Sequence, residues 1–127
     1  MLIHKNLMLC RKIAQKSTCV YQLGAVLFKG GNVINVGFNK TGTNILQYRK
    51  RHLHYVGNVH AEIDAILGVS KEEAKKCDLW VVRIISNGNF ALAKPCIMCR
   101  EILSEMGIKR IFYSVESNPF YDIVYCE

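Results

Sequence analysis

The sequence has no apolar stretch approaching the ~20 residues that a membrane-spanning helix needs. No secretory leader is expected: Leu7-Met8-Leu9-Cys10 is too short an apolar core, and Arg11-Lys12 cuts it off. There are no internal repeats and no low-complexity segments, so neither a solenoid nor a disordered tether is expected. No second ligand-binding motif suggests allosteric control. Acidic residues are the scarcer charge, 10 against 17 Lys and Arg, which leaves a net charge of +7. That balance suits an anionic partner, or simply a solvated surface.

What is present describes an ordinary globular chain. Its 127 residues, half of them hydrophobic and 21% charged, read as a single domain over residues 1–127 with one core. Six cysteines are many for this length. Cys10, Cys19, Cys77 and Cys126 are scattered without the spacing of a secreted scaffold, so free thiols in a reducing cytoplasm are the simplest expectation.

The remaining two cysteines belong to a split cluster. His60-Ala61-Glu62 stands mid-chain, and Pro95-Cys96-Ile97-Met98-Cys99 follows about thirty-five residues later. Two thiols at i and i+3 and one imidazole make three ligands for Zn²⁺, leaving a fourth position for water, with Glu62 as proton carrier. A lone CxxC is a weak signal, shared with redox sites and zinc fingers. Its combination with His-x-Glu, in this order and with proline before the first cysteine, is strong. The arrangement H-x-E then P-C-x-x-C resembles the cytidine/deoxycytidylate deaminase superfamily. Two other readings stay open: a closed structural zinc site completed by a fourth cysteine, and a thioredoxin-like pair.

Element by element, residues 5–16 carry apolar positions at helical spacing and basic ones on the open side, predicting an N-terminal helix. Residues 23–28 and 33–38 read as two strands joined by the Lys29-Gly30-Gly31-Asn32 turn, a hairpin. Residues 41–58 form a polar, basic loop centred on Tyr48-Arg49-Lys50-Arg51-His52. A helix is expected over 59–67, a short charged helix or loop over 71–76, and a central strand over 79–85. A turn at 86–89 then leads to residues 90–93, which either return beside that strand or run straight toward Cys96. A helix over 97–106, stopped by Gly107, precedes a strand over 108–114. Strand, helix and strand in that order imply a parallel crossover. Residues 118–125 read as a turn and an apolar tail.

The resemblance implies a three-layer α/β/α fold, a mixed sheet of about five strands flanked by helices. It implies hydrolytic deamination of a cytosine-bearing nucleotide to the uracil form, with Zn²⁺ held by His60, Cys96 and Cys99. Glu62 would take a proton from water, protonate the ring nitrogen and serve the departing ammonia. Helix N-termini at the site are expected to lower the thiol pKa values. Asn39, after the second strand, would contact the substrate's sugar, although asparagine there can equally just turn the chain. Ala61 would line the substrate site and Pro95 would support the cysteines. Arg49, Lys50 and Arg51 are candidate phosphate contacts, or part of an exposed charged loop. Arg100 resembles the arginine that follows the second zinc cysteine in the free-cytidine branch, where it tempers ligand charge. The parallel crossover instead resembles the branch of deoxycytidylate, tRNA-adenosine and polynucleotide deaminases. The partner is then a small nucleoside or nucleotide, or single-stranded nucleic acid, recognised by an aromatic beside basic residues. A homo-oligomer is expected. A non-catalytic, zinc-stabilised nucleic-acid-binding module is the remaining alternative.

Overall fold

The computed structural model describes residues 3–41 and 58–126. The chain begins with α1 (Lys5–Ala14), then the hairpin β1 (Gln22–Lys29) and β2 (Asn32–Phe38). Two short strands, β3 (Lys40–Thr41) and β4 (Asn58–Val59), pair antiparallel and lead into α2 (Ala61–Ile66) and α3 (Lys71–Ala74). The rest is β5 (Asp78–Ile84), β6 (Phe90–Ala91), α4 (Ile97–Glu105), β7 (Arg110–Ser114) and β8 (Tyr121–Tyr125). The six-stranded sheet runs β2-β1-β5-β7-β8, with β6 also paired to β5. Only β5 and β7 are parallel; the other pairs are antiparallel, so the sheet is mixed as expected.

Alternation along the strands divides the core in two. Ala25, Leu27, Leu79, Val81 and Ile111 pack with α2 and α4 on one face. Val26, Phe28, Trp80, Val82 and Phe112 pack with α1 on the other. Helices therefore cover both faces, which makes three layers. β5 is buried on both faces, and that explains its nearly continuous apolar run.

Two glycines let the helices seat closely. A Cβ on Gly24 would collide with the backbone of Cys10 and Ala14 in α1, and a Cβ on Gly37 with the backbone of Ala61, Asp64 and Ala65 in α2. α2 has only six residues, too few to persist without tertiary contacts. Asn35 Nδ2 donates to Ala65 O (2.8 Å), and the Asp64 carboxylate accepts from Phe38 N (3.0 Å). Lys40 pairs with the same carboxylate at 3.1 Å.

In two segments the structure decides what the sequence left open or read only as a tail. Residues 90–91 do return beside β5, Arg83 opposite Ala91 and Ile84 opposite Phe90. The chain then crosses to α4, so the turn at 86–89 leads into a short extra strand. The buried Ser114 hydroxyl clamps this detour, donating to Ala91 O (2.6 Å) and accepting from Arg83 N (3.0 Å). The expected apolar tail is an edge strand: β8 runs antiparallel to β7, from Arg110 opposite Tyr125 to Ser114 opposite Tyr121. Its residues alternate, Tyr121 and Ile123 against the α1-side core and Val124 against the other.

Candidate active site

His60 and Cys96 each occupy the N-cap of a helix, of α2 and α4 respectively, both in extended backbone conformation. Both helices pack on the same face of the sheet, so residues thirty-six apart in sequence meet. His60 Nδ1 lies 3.2 Å from Cys99 Sγ and 3.9 Å from Cys96 Sγ. The donor atoms of His60, Cys96 and Cys99 all fall within 4.8 Å of one another. Zn–S bonds of about 2.3 Å and Zn–N bonds of about 2.0 Å in a tetrahedron put ligand atoms roughly 3.5 Å apart, so these separations fit. Among the described residues no other group of three or more metal-ligating side chains comes together.

A fourth cysteine does not complete the set, which disfavours the closed structural site. All six cysteines are free. The Cys10 thiol donates to Trp80 O (3.5 Å) and that of Cys77 to Glu73 O (3.1 Å), each in the core. Three protein donors leave a coordination position for water, the condition for a catalytic rather than a structural zinc.

Glu62 sits in the first turn of α2 and is only 4% exposed. Burial pushes its carboxyl above the usual range; its own backbone amide, His60 and a hydrogen bond with Cys99 pull the other way. Burial also pushes the Cys99 thiol up, and the charges of Glu62 and Cys96 push it further. Desolvation at Cys99 therefore works against the lowering expected from the start of α4. A divalent cation is what would let the thiolate form in such surroundings.

Beside this group lies a cavity of about 650 Å³, walled in part by His60, Ala61, Glu62 and Cys96. Asn39 stands in its wall. Its side chain also ties the start of β1: Oδ1 accepts from Leu23 N (2.9 Å) and Nδ2 donates to Tyr21 O (2.6 Å). Pro95 is buried just before α4. Arg100 lies elsewhere, in a groove with Glu101, Tyr125 and Cys126. Arg49, Lys50 and Arg51 lie outside the described residues, as do Tyr48, His52 and His54. The cavity wall also includes Tyr21, Arg83 and Lys94, to which sequence reasoning assigned no role. For Arg83 a signal existed: it is the one charge within the apolar run 79–85.

Residues 2–115 match the family model described as the cytidine and deoxycytidylate deaminase zinc-binding region. The chain belongs to this family. Zinc is accordingly its metal, and His60, Cys96 and Cys99 are the group in this deaminase domain that could hold it. An uncharacterized deaminase in the luxG 3′ region of Aliivibrio fischeri is 28% identical over 102 residues, covering 78% of this chain. The chain spans only 62% of that relative's length. Among solved structures, the apo dCMP deaminase of cyanophage S-TIM5 is similar with a TM-score of 0.63 at 20% identity, covering 89% of this chain and 82% of that one. The cytidine deaminase of Burkholderia pseudomallei is similar with a TM-score of 0.64 at 17% identity, covering 99% and 94%. Both likenesses concern the fold, and they are equally close for a nucleotide and a nucleoside enzyme. No helix among the described residues is long and apolar enough to cross a membrane.

Proposed function

We propose that this deaminase domain hydrolyses the amino group of a cytosine-bearing nucleotide, deoxycytidylate or a close relative, giving the uracil form and ammonia. The observation that carries this reading is the burial of Glu62 in the cavity wall beside three metal-ligating side chains. A zinc ion held by His60, Cys96 and Cys99 supplies the Lewis acidity that makes water nucleophilic near neutral pH. Glu62 moves the protons: its carboxylate takes one from the attacking water and places it on the ring nitrogen next to the reacting carbon. It then passes the second to the departing amino group. Cytosine and water thus become uracil and ammonia, with no oxidant or reductant. A buried carboxyl with a raised pKa suits this work, since it can hold a proton between the two transfers.

Ala61, fully buried, gives the cavity an unbranched wall beside the reacting ring. Asn39 uses one N–H and one lone pair on Tyr21 and Leu23, and its second N–H is the group to meet a sugar hydroxyl. Arg49 and Arg51 are, on sequence grounds, candidates for further contacts to an anionic substrate. Pro95 holds the entry to α4, and Arg100 supports α4 from its outer side. A homo-oligomer is part of the same reading, supported by the exposed Ile97 and Met98 on α4.

Zinc-loaded protein incubated with deoxycytidylate, cytidylate, cytidine, deoxycytidine and single-stranded oligonucleotides, with products read by mass spectrometry, tests the proposal. Conversion of nucleotide monomers is expected. Conversion only inside an oligonucleotide would move the activity to polynucleotides, and intact cytosine throughout would overturn the choice of base.

A further inference from the structure

The alternation of β5 decides where its single cation goes. Leu79 and Val81 face the core under α2 and α4, whereas Trp80, Val82 and Ile84 face α1. Arg83 continues the first row at the point where that core opens into the active-site cavity. The register sets Arg83 opposite Leu23 of β1, and Leu23 is the residue whose N–H the Asn39 side chain accepts. Asn39, Leu23 and Arg83 therefore form one row across the sheet, walling the cavity that also holds His60, Glu62 and Cys96.

This arginine is held in place without being neutralised by any described residue. Its backbone N–H is fixed by the Ser114 hydroxyl, and its guanidinium lies 4.4 Å from the centre of the Tyr21 ring. Its Nε is buried and has no hydrogen-bond partner among the described residues. Arg110 shows the contrast: it grips Asp78 through Nε (2.9 Å) and a terminal nitrogen (2.6 Å). Among the described residues the ion pairs are Arg110–Asp78 and Lys40–Asp64, and neither involves Arg83. A buried N–H of a charged group left unpaired is costly, and native structures keep few of them. A second cation, Lys94, stands in the wall of the same cavity on the segment that crosses from β6 to α4.

We propose that Arg83, with Lys94, receives the phosphate monoester of the substrate, so that the domain selects a nucleoside monophosphate over a free nucleoside. This rests on the proposed deamination at Glu62. The planar guanidinium presents paired donors that match phosphate oxygens, and the Tyr21 ring holds that plane fixed. A cavity of about 650 Å³ is of the size that encloses a small molecule. Charge and burial thus divide the cavity wall: Glu62 serves the base and Arg83 the anion.

The test compares wild type with Arg83→Gln, Arg83→Lys and Tyr21→Leu, using zinc-loaded protein. The readout is the ratio of kcat/KM for deoxycytidylate to that for deoxycytidine. Arg83→Gln is expected to lower this ratio about 10- to 100-fold, chiefly through KM for the monophosphate, and Arg83→Lys to restore part of it. Tyr21 is 61% exposed, so Tyr21→Leu carries little folding risk. It should lower the ratio by roughly 2- to 5-fold and keeps the test decisive if Arg83→Gln does not fold. Broadening of the inorganic phosphate signal in ³¹P NMR provides a readout independent of the base. It should appear with wild type and vanish with Arg83→Gln. If cytosine is not deaminated but this phosphate response holds, the anion site stands and the reading of the base falls. An unchanged ratio together with unchanged phosphate broadening overturns the proposal. So does an effect confined to oligonucleotides, which would assign Arg83 to a phosphodiester.

Discussion

The two faces of the sheet are built differently. On the α1 face the packing is aromatic: Trp80 lies between Phe112, stacked at 4.4 Å, and His4, at 4.6 Å, with Tyr121 tilted against it at 5.1 Å. On the α2 and α4 face it is aliphatic and small, with Ala61, Ala65, Ala74 and Ala93 among the core residues. That face also carries the buried carboxyl of Glu62 and the half-buried Arg83. Large rings stabilise by area and leave no room for chemistry, whereas small side chains let a backbone approach and make space for polar groups that burial disfavours. The reactive groups thus share the aliphatic face with most of the largest fully buried side chains, while the aromatic face carries no such groups.

The division can be broken from the aromatic side first. Trp80→Ala should cost about 3–5 kcal/mol of stability, measured by chemical denaturation, while turnover per folded molecule stays close to wild type. A sharper comparison uses the two contact glycines. Gly24→Ala and Gly37→Ala each press a methyl group into helix backbone and should each cost about 1–3 kcal/mol. Only Gly37→Ala displaces α2 and with it Glu62, so only that variant should also lower kcat.

The smallest effect is a pH dependence. Burial raises the Glu62 carboxyl in the folded state above its value in the unfolded chain, about 4.3. Between that pH and the higher folded pKa the native state binds more protons than the unfolded one, so stability falls as pH rises through this window. With a chelator present, Glu62→Gln should flatten that fall. An identical slope in both proteins would show that Glu62 is not held protonated.

Much of this was legible in the sequence because its signals are local. The hairpin announced itself through Gly30-Gly31 between two β-prone runs, and the zinc group through the spacing of His60, Cys96 and Cys99. The parallel pairing of β5 and β7 followed from the helix between them. What the sequence left open or missed depends on long-range geometry. β6 exists because Ser114, in another strand, clamps Ala91, and β8 is a strand because Tyr121 finds Trp80 and Phe112. Arg83 could be noticed as a charge in an apolar run, but its place at the cavity depends on the strand's parity and on where the core ends. At the Cys99 thiol, too, burial works against the helix dipole, and depth of burial is a property of the whole fold.

The most direct measurement pairs zinc content with product formation in wild type and Glu62→Gln. The variant should keep about one zinc per chain and melt no lower than wild type, while turnover falls about 10²- to 10⁴-fold. Wild-type turnover in the variant, or loss of its zinc, would contradict the role of Glu62 as a proton carrier that does not ligate the metal.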